Sequence, residues 1–316
     1  MPNPEHTVWI DTDLGFDDLA AVLTVQHANG FAIDGMSLVA GNAPLDVVVD
    51  NALRSAACFD WHFPLHAGRA APLFGELVTA QNILGADAMA SAGRSLPLRC
   101  GPLATADAVA ALAAYLAGRV APATVLALGP LTNMAVLLQQ HPDLAACIGR
   151  LVWMGGSAGP GNHTAAAEFN AAADPEAINI VLASGVPLQM IGLDACRQVR
   201  LHAADAQLLR EVGGHKAELL ADLLLGYVRI ASADGSLPMS LYDPTAAAAL
   251  VAPESITYQA AHVVAECQGE HTRGMTVVEW RTPRRAVANA LVARQIDEAG
   301  VRRVVLCALA AAARDR

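Results

Sequence analysis

Short apolar runs closed by glycine or aspartate recur through the first two thirds of the chain, and stretches with helical spacing lie between them. The runs "TVWID" (7–11), "FAIDGMSLVAG" (31–41), "ATVLALG" (123–129), "RLVWMGG" (150–156) and "VPLQMIGLD" (186–194) read as strands. The intervening "DDLAAVLTVQHANG" (17–30), "TADAVAALAAYLAGR" (105–119) and "DPEAINIVLASG" (174–185) read as helices, with Thr, Asp or Pro near their starts and Gly near their ends. This alternation leaves few solutions, because parallel strands need crossovers and the crossover helices must cover the faces of the sheet. The expected fold is α/β, an open, mostly parallel sheet flanked by helices. From about 203 to 234 the pattern turns helical, another helix follows "SLPMSLYDP", strands near 256–280 turn around Gly269, and an Ala-rich helix ends the chain. No linker or repeat interrupts the pattern, so 1–316 is expected to be a single domain.

Composition narrows what such a fold can do. With 54% hydrophobic and 16% charged residues the chain can bury a large core. The net charge is −10, Lys216 is the only lysine, and no basic cluster is present, which argues against a nucleic-acid partner. Mean hydropathy is positive, yet each apolar stretch is broken by a polar residue, Gly or Pro well before the roughly 18 residues of a membrane span. No export signal is visible at the start, so the cytoplasm is the expected compartment. Cys58, Cys100, Cys147, Cys196, Cys267 and Cys307 are scattered without a C-x-x-C and are read as reduced and mostly buried.

Ligands of open α/β sheets bind beyond the carboxyl ends of the strands. The polar clusters of this sequence fall there. The first strand ends in Asp11-Thr12-Asp13, the second in Gly41-Asn42, the third quoted in Gly129-Pro130, and the fourth in Gly155-Gly156 before a loop with Asn162, Glu168 and Asn170. Asp11, Asp13, Asp17 and Asp18 lie within eight positions, and carboxylates this close resist joint ionisation unless a cation, a shared proton or dense hydrogen bonding compensates them. Oxygen donors without His or Cys suit a hard cation such as Ca²⁺ or Mg²⁺. Asp17 or Asp18 alone could instead cap the helix. Asn42 could be ordinary turn chemistry, and Asp243 before Pro244 makes a good N-cap with Pro first in the helix. Glu168 and Asn170, inside "AAAEFNAAA", must find partners if buried.

"DTDLGFDDLAAVL" (11–23) closely resembles the opening signature of the inosine-uridine-preferring nucleoside N-ribohydrolases. The resemblance continues in order through "LVAGN" (38–42), "LALGPLTNMA" (126–135), "LVWMGG" (151–156), "NHTAAAEFNAAADPEA" (162–177), "GLDACRQ" (192–198) and "YDPTA" (242–246), most of the chain. It implies the nucleoside hydrolase fold with its Rossmann-like core and a Ca²⁺ held by Asp13, Asp18, Asp243 and the backbone carbonyl of Leu128. It further implies Asp17 as general base on a calcium-bound water and Asn42 orienting ribose or water. Asn162, Glu168 and Asn170 would contact ribose hydroxyls, and Asp11 would be a supporting residue. The chemistry suits that cast, since cleaving an N-glycosidic bond passes through an oxocarbenium-like state that needs acceptors around the sugar and an activated water.

The chain also departs from the family. Many members carry His before the late aspartate, where it can protonate the departing base, and here that position is Tyr242. In "AQNILGADAMASAG" (80–93) Asn82 stands where a second His is sought, and Ala88 where Gly is common. Tyr242 could stack on the base or donate to it, as an aromatic residue does in some purine-preferring relatives, and His163 is a substitute acid. The expectation leans to purine ribonucleosides, hydrolysed by a homo-oligomer, dimer or tetramer. Two other classes fit part of the pattern: a ribose- or nucleoside-binding protein of the same fold, and a haloacid-dehalogenase-type Mg²⁺ phosphatase built on Asp11 and Asp13.

Overall fold

A computed structural model describes residues 5–98 and 101–314. Eleven strands form in chain order: β1 (His6–Thr12), β2 (Phe31–Leu38), β3 (Leu65–Ala67), β4 (Ala123–Ala127), β5 (Ile148–Met154), β6 (Leu188–Ile191), β7 (Arg200–Leu201), β8 (Met239–Ser240), β9 (Ile256–Ala265), β10 (Thr276–Glu279) and β11 (Ala290–Ile296). Nine make one sheet in the order β10-β9-β11-β6-β5-β4-β1-β2-β3, and β7 pairs with β8. From β11 to β3 every pairing is parallel, while β9 runs antiparallel to both β11 and β10.

All five strands expected from apolar runs are present, as are the three helices, at Phe16–Gln26, Ala108–Ala117 and Pro175–Ala183. β3 and β11 were not anticipated. The first is three residues long, too short to show a period, and the second lies inside the sheet between β9 and β6 although Arg294 and Gln295 interrupt its apolar pattern. Beyond β6 come the expected helices, Ala203–Val212, His215–Val228 and Asp243–Val251, and the C-terminal Glu298–Arg314.

Helices on both faces create two cores, one around Ile10, Leu126 and Val152 and the other around Val125, Leu151 and Trp153. These are adjacent residues on the same strands, so successive side chains enter opposite cores, as the pleat requires. In the Ala-rich 243–251 helix Ala246 to Ala249 are all buried, and the helix packs against the 16–26 helix. Small side chains let two such helices approach closely, which brings their N-termini, carrying Asp17, Asp18 and Asp243, to one place.

Three details differ from expectation. The 243–251 helix starts at Asp243 itself, with Pro244 second and Tyr242 at the N-cap, so Asp243 stands in the first turn rather than at the cap. Of the five cysteines described, only Cys196 is buried; Cys58, Cys147 and Cys267 sit half-buried where elements end or meet the surface, and Cys307 is exposed. Cys100 lies outside the described residues. Ala88, where the family resemblance leads one to look for Gly, does take the left-handed conformation that Gly favours, with φ of 49°. No helix among the described residues is long and apolar enough to cross a membrane.

Candidate active site

The strand order reverses between β1 and β4: from β1 the chain builds outward through β2 and β3, and from β4 through β5 and β6. A crevice is expected at the carboxyl ends of two such neighbours. A cavity of about 400 Å³ opens there, with Asp13 just after β1 and Leu128 just after β4 on its wall. Asp17, Asn42, Asn162, Glu168, Asn170, Tyr242 and Asp243 also line it, together with Asn82 and His163. Asp11 and Asp18 do not reach the cavity; they lie buried beneath it.

The floor of the cavity is acidic. Carboxylate oxygens of Asp17, Asp18 and Asp243 lie within 4.8 Å of one another. Asp13 stands beside them, held in a cradle with no spare room: a Cβ at Gly41 would fall 2.1 Å from Asp13 Oδ2, and one at Gly129 would fall 3.0 Å from its carboxyl carbon. Asn42 clamps two of the acids, its backbone N–H donating to Asp13 Oδ2 (2.7 Å) and its Nδ2 to Asp18 Oδ2 (3.2 Å). Asp18 also accepts from Gly15 N (2.7 Å) and from the Thr12 hydroxyl, so the expected helix-end bonding and membership of the cluster coexist in one side chain.

Burial pushes all four carboxyls up, and the charge of Asp18 adds to the rise at the other three; Asp17 reaches about 7, and Asp13 and Asp243 go well above their ordinary range. Among the described residues no Arg or Lys forms an ion pair with any of them. Two helix N-termini supply partial positive charge, which offsets only part of the repulsion. An all-oxygen, sulfur-free and imidazole-free nest of buried acids fits a hard divalent cation. Leu128 lines the same cavity, and its carbonyl accepts one hydrogen bond, from Asn170 Nδ2 (2.8 Å), which leaves it a second lone pair.

Asp11 acts from below. Its Oδ1 accepts from the Ser37 hydroxyl and from Asn133 Nδ2 (2.8 Å), Oδ2 has no partner, and burial raises the carboxyl to about 6. Asn133 also donates to the Leu38 carbonyl (3.2 Å) and accepts from Arg69 N (2.9 Å). The tip of β1 is thereby tied to β2 and to the Thr132–Gln140 helix.

The polar residues of the 156–170 loop are half committed to the protein itself. Glu168 accepts from the backbone N–H groups of Gly156 (2.8 Å), Asn170 (2.9 Å) and Ala171 (3.0 Å), and burial lifts it to about 7. Asn170 Nδ2 bridges the Leu128 and Met154 carbonyls, and Asn162 Oδ1 accepts from Phe169 N (2.9 Å). The family resemblance implies substrate contacts; the structure adds that the same groups hold the loop and the Leu128 carbonyl in place.

Tyr227 was not foreseen. It is buried on the 215–228 helix, and its hydroxyl lies 2.8 Å from the Ser240 carbonyl and 3.3 Å from Asp17 Oδ2. The available signal was a lone Tyr in the aliphatic run "LLADLLLGYV". Asn82, exposed at the rim, rides on a segment fastened to the same helix: Asp222 accepts from Arg94 N (2.9 Å) and Nη1 (3.0 Å) and from Arg210 Nη2 (2.6 Å), and a Cβ at Gly226 would fall 2.3 Å from the Ala90 carbonyl. His163 is exposed and packs edge-on against Phe169, with ring centres 5.6 Å apart. Lys216 pairs with Asp60 (3.4 Å) and is not on the cavity wall, so it does not supply the cation that a phosphatase site would need.

Comparison with known proteins points one way. Residues 8–303 match the family model described as inosine-uridine preferring nucleoside hydrolase. The pyrimidine-specific ribonucleoside hydrolase RihA of Shewanella woodyi is 37% identical over 294 residues, covering 92% of this chain and 94% of that protein. The protein of the same name from Escherichia coli is 33% identical over 296 residues, covering 93% and 94%. Among solved structures, a purine-preferring ribonucleoside hydrolase from Gardnerella vaginalis superposes with a TM-score of 0.88 at 23% identity, over 97% of this chain and 99% of that one. A plant nucleoside hydrolase gives 0.86 at 27% identity, over 98% and 100%.

Proposed function

Since the chain belongs to the inosine-uridine preferring nucleoside hydrolases, and is thus an enzyme that hydrolyses N-glycosyl bonds of ribonucleosides, we propose that it does so with one Ca²⁺ and with Asp17 as general base. The observation that carries this reading is the convergence of Asp17, Asp18 and Asp243 within 4.8 Å, without a counter-cation, at the base of a nucleoside-sized cavity that Asp17 and Asp243 line. Asp13, Asp18, Asp243 and the Leu128 carbonyl would hold the ion. When bound, Ca²⁺ would supply the charge that orients ribose hydroxyls and makes a water more acidic.

The protein's own groups do the rest. Asp17, half-exposed and lifted to about 7, can take one proton from water at neutral pH. Tyr227, whose hydroxyl lies within reach of Asp17 Oδ2, limits the directions that carboxylate can face. Asn162, Glu168 and Asn170 surround the sugar with acceptors as positive charge develops on it. Asn42 keeps Asp13 and Asp18 fixed, and Asp11 braces the strand tip behind them.

One observation favours a second assignment within this reading. Asp17, rather than Asp13, is the third member of the converging group, so the two could exchange roles, with Asp13 the base and Asp17 a ligand. Calorimetric Ca²⁺ titration separates them. Asp17→Ala with Ca²⁺ affinity intact and ribose release abolished supports Asp17 as base; loss of Ca²⁺ binding in that variant transfers the role to Asp13. Normal turnover in Asp17→Ala would refute both.

The lean to purines stands on Tyr242 alone. The relatives at 33–37% identity carry pyrimidine-specific names, so we infer that pyrimidine ribonucleosides are the better substrates, with Tyr242 against the base. Ribose release from uridine, cytidine, inosine and their 2′-deoxy forms, with Ca²⁺ and with a chelator, tests this. Faster inosine cleavage would restore the purine assignment, and chelator-resistant release would remove the cation. We further read 1–316 as one domain acting in the cytoplasm, where the free thiols at all five described cysteines would persist.

A further inference from the structure

The "GLDACRQ" stretch (192–198) puts no residue on the cavity wall, yet two of its side chains grip the loop that does. Asp194 Oδ1 accepts from Ala158 N at 2.9 Å. Arg197 donates from Nη1 to the Pro160 carbonyl and from Nη2 to the Gly161 carbonyl, both at 2.9 Å. Two consecutive carbonyls thus meet the fork of one guanidinium.

The loop is built in two parts. At its base Ser157 is pinned to Thr276, whose hydroxyl accepts from Ser157 N (2.8 Å) and donates to the Ser157 carbonyl (2.7 Å). Its tip is folded on itself: the N–H groups of Asn162, His163 and Thr164 all approach the Ala167 carbonyl (3.2, 3.1 and 3.2 Å), and Gly161 is needed because a Cβ there would lie 2.1 Å from that oxygen. Residues 162–165 are exposed, and the tip is held by the Asn162 bond to Phe169 N, the His163 ring against Phe169, the Ser157 hydroxyl on the Pro160 carbonyl (3.2 Å) and Arg197. Of these only Arg197 comes from beyond the 156–170 stretch.

We propose that Arg197 is a positioning residue: its guanidinium, bound to the Pro160 and Gly161 carbonyls, fixes Asn162 and His163 over the cavity and so sets affinity for the nucleoside without touching it. This rests on the cavity being the nucleoside site. Charge-assisted, forked bonds are strong and geometrically specific, and an ammonium cannot reproduce the fork. One of the two bonds is exposed and the other half-buried, so losing both should bring an effect of about tenfold.

The test compares Arg197→Ala and Arg197→Lys with the parent, using amide hydrogen exchange and uridine kinetics. In Arg197→Ala the amides of Gly161 to Thr164 should exchange at least about tenfold faster while Ala158, held by Asp194, stays unchanged, and KM should rise about tenfold with kcat within about twofold. Arg197→Lys should fall between. Parent-like exchange at the tip overturns the proposal, as does a fall in kcat at unchanged KM. If Arg197→Ala does not fold, Arg197→Lys decides by the same readouts. Absence of ribose release from the parent enzyme would sink the hydrolase reading alone, because the exchange measurement reports on the loop whether or not turnover occurs.

Discussion

Gly41 shows how far the site depends on a missing methyl group. A Cβ 2.1 Å from Asp13 Oδ2 cannot be accommodated, so Gly41→Ala must push the carboxylate aside. We expect Ca²⁺ affinity and ribose release to fall by about 100-fold or more, with a stability loss of about 1–3 kcal/mol from overpacking. Calorimetric titration beside urea unfolding checks both. Glu168 carries a pH signature. Burial holds it at about 7 against an ordinary 4.5, so the folded state favours its protonated form. Its contribution to stability is full below about pH 4.5 and is lost as pH rises through about 7. Glu168→Gln stays neutral throughout, so the parent's urea midpoint should decline relative to the variant's across that window. Parallel pH profiles would show that Glu168 ionises alike in the folded and unfolded chain. At this scale the sequence was informative about residue types and nearly silent about their bonding. Asn42, Glu168 and Asn170 stood out as polar residues at strand ends or inside an apolar loop. Their partners, up to 42 positions away, could not be read from any local pattern.

At the scale of elements, the acidic cluster is a product of two helix starts and two strand ends, and each was visible as a hydrophobic period followed by Asp, Gly or Asn. Less visible were β3 and β11, one too brief and one too polar, and the tie between the rim segment and the 215–228 helix. That tie runs through Asp222, which is 5% exposed and accepts from Arg94 and Arg210 across 128 and 12 positions. Removing the carboxylate leaves both guanidinium groups to Glu218 alone and loosens the segment that carries Asn82. Asp222→Ala should cost about 2 kcal/mol of stability and raise KM more than it lowers kcat. Denaturant unfolding and steady-state kinetics would test this, and unchanged KM would mean that the rim segment stays in place without Asp222.

For the whole molecule, the alternation of strands and helices led to the right class of fold and to the edge where the acidic cavity opens. The reversal of strand order between β1 and β4, which makes the crevice, emerges only from long-range pairing. Stability should be coupled to the cation. Four clustered acids, three of them buried, without a paired base are unfavourable together, so Ca²⁺ should raise the melting temperature and a chelator should lower it. The gain should shrink as pH falls below about 7, where protons compete for the same oxygens. Thermal unfolding with and without Ca²⁺ at several pH values measures it, and identical curves would rule out the cation. The buried alanines 246–249 have a consequence for genetics. They touch no substrate and carry no charge, yet they set the distance between two helices whose ends hold Asp17, Asp18 and Asp243. In a library of random variants selected for growth on nucleosides, this short apolar run should tolerate replacement as poorly as the aspartates themselves.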